Sequence, residues 1–153
     1  MLSPLYLGIP FFCGWELFLQ SIHMKRLLLI DDDADCLKAL GNRLRFTFRE
    51  SALTVDTAKS ASIGIILAHT FTYDAVIVDL VMPGTTGDTF IQQLKQVQPD
   101  APIIVISGSE PNDQYEANER GFTLAFFPKP IDFSAMQALL KPLLVTPDIG
   151  YAA

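Results

Sequence analysis

From residue 25 onward the chain alternates short apolar runs with longer stretches in which apolar residues recur every three or four positions. A short run cut off abruptly by polar residues reads as a strand buried on both faces, whereas the wider spacing reads as one face of a helix. Strands are therefore expected at residues 26–30, 52–55, 75–78, 103–106 and 125–127. Helical spacing groups Leu37, Leu40, Leu44 and Phe48, then Phe90, Leu94 and Val97, and finally Met136, Leu139, Leu140 and Leu143. Two further helices are weaker: one at 58–68 carries Gly64 at a cost of about 1 kcal/mol, and one at 113–120 is short. Five strands and five helices in strict alternation, (βα)5, predict βαβ units and a doubly wound parallel α/β sheet.

A sheet of this flavodoxin-like kind, with strand order 2-1-3-4-5, binds ligands at the carboxyl ends of its strands, beside the point where the strand order reverses. The residues that carry chemistry gather at those ends. The first strand runs straight into Asp31-Asp32-Asp33-Ala34-Asp35, four carboxylates within five positions. Like charges this close raise one another's pKa and cost stability unless a cation lies between them. A cation is therefore expected, and removal of one carboxylate is expected to stabilise the metal-free fold. Asp33 and Asp35 also suit the cap and first turn of the following helix, but Asp31 and Asp32 are not both needed for that. The third strand closes on Asp79, the fourth on Ser107-Gly108, and the fifth is followed by Lys129-Pro130. Each alone has a plain structural reading, as a turn carboxylate, a hydroxyl bonded to its own backbone, or a solvated lysine. Their convergence on one sheet edge points to a site.

Composition narrows the alternatives. A chain of 153 residues, 50% of them hydrophobic, suits one domain with one core, and its net charge of −6 argues against a nucleic-acid surface. Cys13 and Cys36 form no C-x-x-C pair and His23 and His69 are isolated, so zinc, haem and disulfide readings find no support. Residues 1–23 stand apart, with no Lys or Arg and with clusters of Phe, Leu, Tyr and Trp. They lack the basic start and small-residue cleavage site of a signal peptide, and Pro4, Pro10, Gly14 and Glu16 interrupt any membrane span. The expected organisation is an extension at 1–23, a domain at 24–145 and a short tail at 146–153. The extension reads as a loose tail or as a start placed too far upstream, with a membrane-surface or partner-binding segment as the alternative. Because the βα count is complete from Met24, a chain beginning there is expected to fold and to keep its site.

At the strand ends the chain resembles the receiver domain of two-component response regulators, over about residues 24–144. The matching set is the acidic pair Asp31 and Asp32, Asp79 followed by Met82-Pro83-Gly84, Ser107, and Lys129-Pro130. The resemblance implies that Asp79 accepts a phosphoryl group. It implies Mg²⁺ bound directly by Asp32, Asp79 and the backbone carbonyl of Val81, and through water by Asp31. Lys129 and Ser107 would hold the phosphoryl oxygens. It further implies a switch in which Ser107 moves toward the phosphoryl group and the aromatic Phe126 turns inward, altering the face of the fourth helix, fifth strand and fifth helix. The expected protein is a single-domain, cytoplasmic regulator and not an enzyme beyond its own phosphotransfer and dephosphorylation. Its partners would be a histidine kinase or histidine phosphotransfer protein and an unknown downstream protein, with no nucleic acid and no membrane span. An alternative is a receiver-like interaction module that takes no phosphate. A haloacid dehalogenase-type phosphatase is the remote one, since it needs a second Asp where Val81 stands. A flavodoxin proper would need a hydroxyl-rich loop after the first strand, where this chain is acidic.

Overall fold

Leu27-Leu28-Leu29-Ile30 carries no polar side chain, and all four residues are buried, two toward each face of the sheet they enter. The computed structural model describes residues 24–83, 87–108 and 122–145. The strands β1 (Arg26–Ile30), β2 (Thr54–Ala58), β3 (Ala75–Asp79), β4 (Ile103–Ser107) and β5 (Ala125–Pro128) form one parallel sheet in the order β2-β1-β3-β4-β5. The helices are α1 (Ala34–Thr47), α2 (Ala61–Thr70), α3 (Gly87–Val97) and α4 (Phe133–Leu144). This is the flavodoxin-like sheet expected from the alternation. The helix expected at 113–120, the extension 1–23 and the tail 146–153 lie outside the described residues.

Because successive strand side chains point to opposite faces, each strand supplies two cores. Leu28, Ile30, Val76, Val78, Ile103 and Val105 pack with Phe90, Ile91 and Leu94 of α3 and the small inner residues of α2. Leu27, Leu29, Ile77, Ile104 and Ile106 pack on the other face with Leu37 and Leu44 of α1 and Met136, Leu140 and Leu144 of α4.

The second strand lies further along the chain than the expected 52–55. Ala52 has φ 49°, which breaks the extended chain there. Asp56 and Thr57 look like a strand end in sequence, yet they belong to an edge strand in which only Val55 and Ala58 are buried. Asp56 is matched by its neighbours, with Arg26 Nε 2.9 Å from its Oδ2 and the Tyr73 hydroxyl donating to the same oxygen at 3.0 Å. The second helix correspondingly starts at Ala61 rather than at residue 58. Ala58 still pairs with Ile30, and Ser60 caps the helix by accepting from the Ile63 amide at 3.3 Å. Gly64, the weak point of that helix in sequence, lets it approach the sheet: a Cβ there would meet Ile30 Cδ1 at 2.7 Å and Phe90 Cε2 at 3.0 Å.

A closer approach occurs at Gly87, where α3 begins. A Cβ would stand 2.7 Å from Leu80 Cα and 2.9 Å from the Asp79 carbonyl oxygen, and backbone cannot yield as a flexible side chain can. Gly87→Ala is expected to cost about 1–3 kcal/mol of stability, as overpacking does. Gly108→Ala, with nothing within 4 Å of its Cβ position, should change stability by less than about 0.5 kcal/mol. Denaturant midpoints of the two variants check the contrast.

Candidate functional site

Strand register decides which side chains meet. Ile30 pairs with Val78, so the next residues along, Asp31 and Asp79, lie side by side where β1 and β3 end. β2 lies on the other side of β1, so this is the point at which the strand order reverses. On the far side Asp79 pairs with Ile106, and Ser107 pairs with Pro128, which places Lys129 just beyond the last strand and level with the acidic ends. The Lys129 amide donates to the Ser107 carbonyl at 2.7 Å and fixes that position.

Asp31 and Asp79 are 2% and 4% exposed, and Lys129 Nζ donates to both, at 3.0 Å to Asp31 Oδ2 and 2.6 Å to Asp79 Oδ2. The remaining oxygens are also used: the Asp33 amide donates to Asp31 Oδ1 at 2.8 Å, and the Val81 amide to Asp79 Oδ1 at 2.9 Å. Burial favours the neutral amine of Lys129. The hydrogen bonds and charges of Asp79 and Asp31 more than offset that, and its pKa lies above the ordinary value. Lys129 thus supplies positive charge to both buried carboxylates.

Asp32 is exposed, and one oxygen each of Asp31, Asp32 and Asp79 lie within 4.8 Å of one another. This all-oxygen, carboxylate donor set fits a hard divalent cation such as Mg²⁺. Asp33 has another task. It caps α1, its Oδ1 accepting from the amides of Asp35 at 2.8 Å and Cys36 at 3.2 Å, and those bonds, that from Cys36 foremost, hold its carboxyl below its ordinary pKa. Asp35 lies in the first turn of the same helix. Ser107 is fully buried at the end of β4, and Phe126 is half-buried against the core beneath α2 and α3. Gly84 of the Met82-Pro83-Gly84 motif lies outside the described residues.

Three features of the site were not read from sequence. The Lys129 bridge joins residues 98 and 50 positions apart, and only the register brings them together. The amides of Asp33 and Val81, two residues after the carboxylates they serve, leave no side-chain signal. Gly87 could have been noticed as the glycine that comes after the Met82-Pro83-Gly84 motif. A groove of about 330 Å³ opens next to the site, lined by Asp31, Cys36 and Arg43 on one side and Lys129, Pro130 and Phe133 on the other.

Residues 27–141 match the family model of the response regulator receiver domain, and the chain belongs to that family. It is 36% identical over 120 residues to the transcriptional regulatory protein GlrR of Escherichia coli (strain K12), covering 77% of this chain and 26% of that protein. A response regulator receiver protein of Anaeromyxobacter sp. (strain Fw109-5) is 32% identical over 108 residues, 71% of this chain and 44% of the relative. The chain thus spans less than half the length of either. Among solved structures, the response regulator TrrA of Thermotoga maritima in complex with Mg²⁺–BeF superposes with a TM-score of 0.65 at 25% identity, covering 79% of this chain and all of that one. The signal receiver domain of a DNA-binding response regulator from Colwellia psychrerythraea 34H gives 0.69 at 24% identity, covering 78% and 97%, and shares the fold. The chain is therefore a signalling domain of the two-component kind. Among the described residues, no helix is long and apolar enough to cross a membrane.

Proposed function

We propose that the domain accepts a phosphoryl group on Asp79 from a histidine kinase or a histidine phosphotransfer protein of a cytoplasmic phosphorelay, and passes the signal on by contact with a further protein. The observation that carries this reading is the buried Asp79 at the strand-order reversal, bridged to Asp31 by Lys129. In the transfer, an Asp79 carboxylate oxygen attacks phosphorus in line. The phosphorus–nitrogen bond to the donor imidazole breaks, its electron pair returns to the ring, and an acyl phosphate remains on Asp79. Lys129 then holds its ammonium against the phosphoryl oxygens, and Ser107 donates a hydrogen bond to them. Loss of that group to water would be catalysed by the same residues, with no other substrate turned over.

Asp32, Asp79 and the Val81 carbonyl would hold Mg²⁺ directly and Asp31 through water. When bound, the cation offsets the charge of the carboxylates and of the transferred phosphoryl oxygens. The Mg²⁺–BeF complex of the related TrrA supports this reading. The signal would leave the site through Ser107 and Phe126. Phe126 is only half-buried, so it can turn further into the core.

Two measurements bear on the proposal. Mg²⁺ titration followed by NMR should show affinity falling on the order of tenfold or more for Asp32→Ala, while Asp33→Ala, whose carboxylate is engaged in capping α1, should change it little. The opposite order would contradict the ligand set. Phosphotransfer profiling against the purified histidine kinases of the organism that encodes this chain should label wild type rapidly from one kinase. Transfer from none, or equal transfer to Asp79→Asn, would overturn the proposal.

A further inference from the structure

Ala61-Ser62-Ile63-Gly64-Ile65-Ile66-Leu67-Ala68-His69-Thr70, the whole of α2, carries no Lys, Arg, Asp or Glu and is apolar on nearly every side. A helix of that kind is normally covered all round. In the described structure only one side is covered. Ala61, Gly64 and Ala68 face the sheet, while Ile63 and Ile66, three residues apart on the outer side, are 45% and 65% exposed. Just past the helix end, Phe71 is 37% exposed.

The start of β1 lies at the end of this helix. Arg26 stacks its guanidinium on the Phe71 ring at 3.7 Å, Lys25 pairs with Asp74 at 2.8 Å, and the Asp74 amide donates to the Arg26 carbonyl. Met24 therefore leaves the sheet beside the end of α2. The 23 residues before it hold no Lys or Arg, and Phe11, Trp15 and Phe18 recur among them at the spacing that sets side chains on one side of a helix. Six residues, enough to reach from Met24 back to Phe18, span up to about 20 Å, whereas Ile63 lies only about 12 Å along the helix from Phe71.

We propose that residues 11–18 of this chain lie along the outer face of α2, with Phe11, Trp15 and Phe18 covering Ile63 and Ile66. Tethering at the foot of that face gives the segment an effective concentration on the order of mM, which a second copy or a separate partner lacks in dilute solution. The absence of basic residues gives it no attraction to an anionic lipid surface. Such a segment adds a cover to the domain without entering either core, so it is compatible with a fold that is complete from Met24.

Trp15 is the only tryptophan of the chain and reports its own surroundings. In the full chain at low concentration its emission should be shifted to the blue and protected from acrylamide. The double variant Ile63→Ser, Ile66→Ser alters only exposed side chains and should return emission and quenching to those of a solvated indole, with the melting transition kept. Hydrogen exchange offers a second readout: α2 amides should exchange faster in a chain beginning at Met24 than in the full chain. A solvated Trp15 in wild type, a blue shift indifferent to the double variant, one lost on dilution, or one seen only with vesicles of anionic phospholipid would each overturn the proposal. The last two would assign the segment to a second copy or to a lipid surface instead.

Discussion

Replacing Lys129 with methionine is expected to cost the metal-free domain about 2–4 kcal/mol, less than the loss at a fully buried pair because Lys129 keeps 29% of its side-chain surface in water. The substitution keeps an unbranched apolar stem and removes the ammonium, so the loss is mainly electrostatic. Asp31 and Asp79, nearly buried and side by side, would face each other without their shared cation. Added Mg²⁺ should then stabilise the variant more than wild type, since the cation takes over a charge that wild type already holds. Urea unfolding of both proteins in EDTA and in Mg²⁺ checks this; equal stability in EDTA would show that the bridge does not hold the site. The pH dependence has a definite sign. Pairing raises the Lys129 pKa above its ordinary 10.5, so the stabilisation is fully present at neutral pH and is lost only as pH rises through the raised value.

The bridge also changes the energetic consequence of carboxylate crowding. The sequence alone suggests that removing any of these carboxylates relieves repulsion and stabilises the metal-free fold. With Lys129 in place that holds for exposed Asp32 alone. Asp31→Ala should destabilise by about 1–3 kcal/mol, because it leaves the Asp33 amide and half of the Lys129 pairing without a partner.

This difference marks where the sequence was legible and where it was not. Patterns that repeat within a few residues came through: the runs of β1, β3 and β4 are buried on both faces, and their ends carry Asp31, Asp79 and Ser107 as expected. Asp33 was legible as a helix start because a cap acts over three residues. The edge strand β2 was displaced because an edge strand is buried at only some of its positions, and the partners that excuse Asp56 are Arg26, 30 positions before it, and Tyr73. Gly64 and Gly87 read as weaknesses or went unremarked, since their value lies in what stands opposite. Lys129 was legible as a member of the same strand edge, but its hydrogen bonds to Asp31 and Asp79 were not, because they join residues 98 and 50 positions apart.

The most direct test is intact-mass measurement after incubation with acetyl phosphate and Mg²⁺. Wild type is expected to gain the mass of one phosphoryl group, abolished by EDTA, and Asp79→Asn to gain none while keeping its fold by circular dichroism. No adduct on the folded wild type, or an equal adduct on Asp79→Asn, would contradict the assignment of Asp79 as the phosphoacceptor.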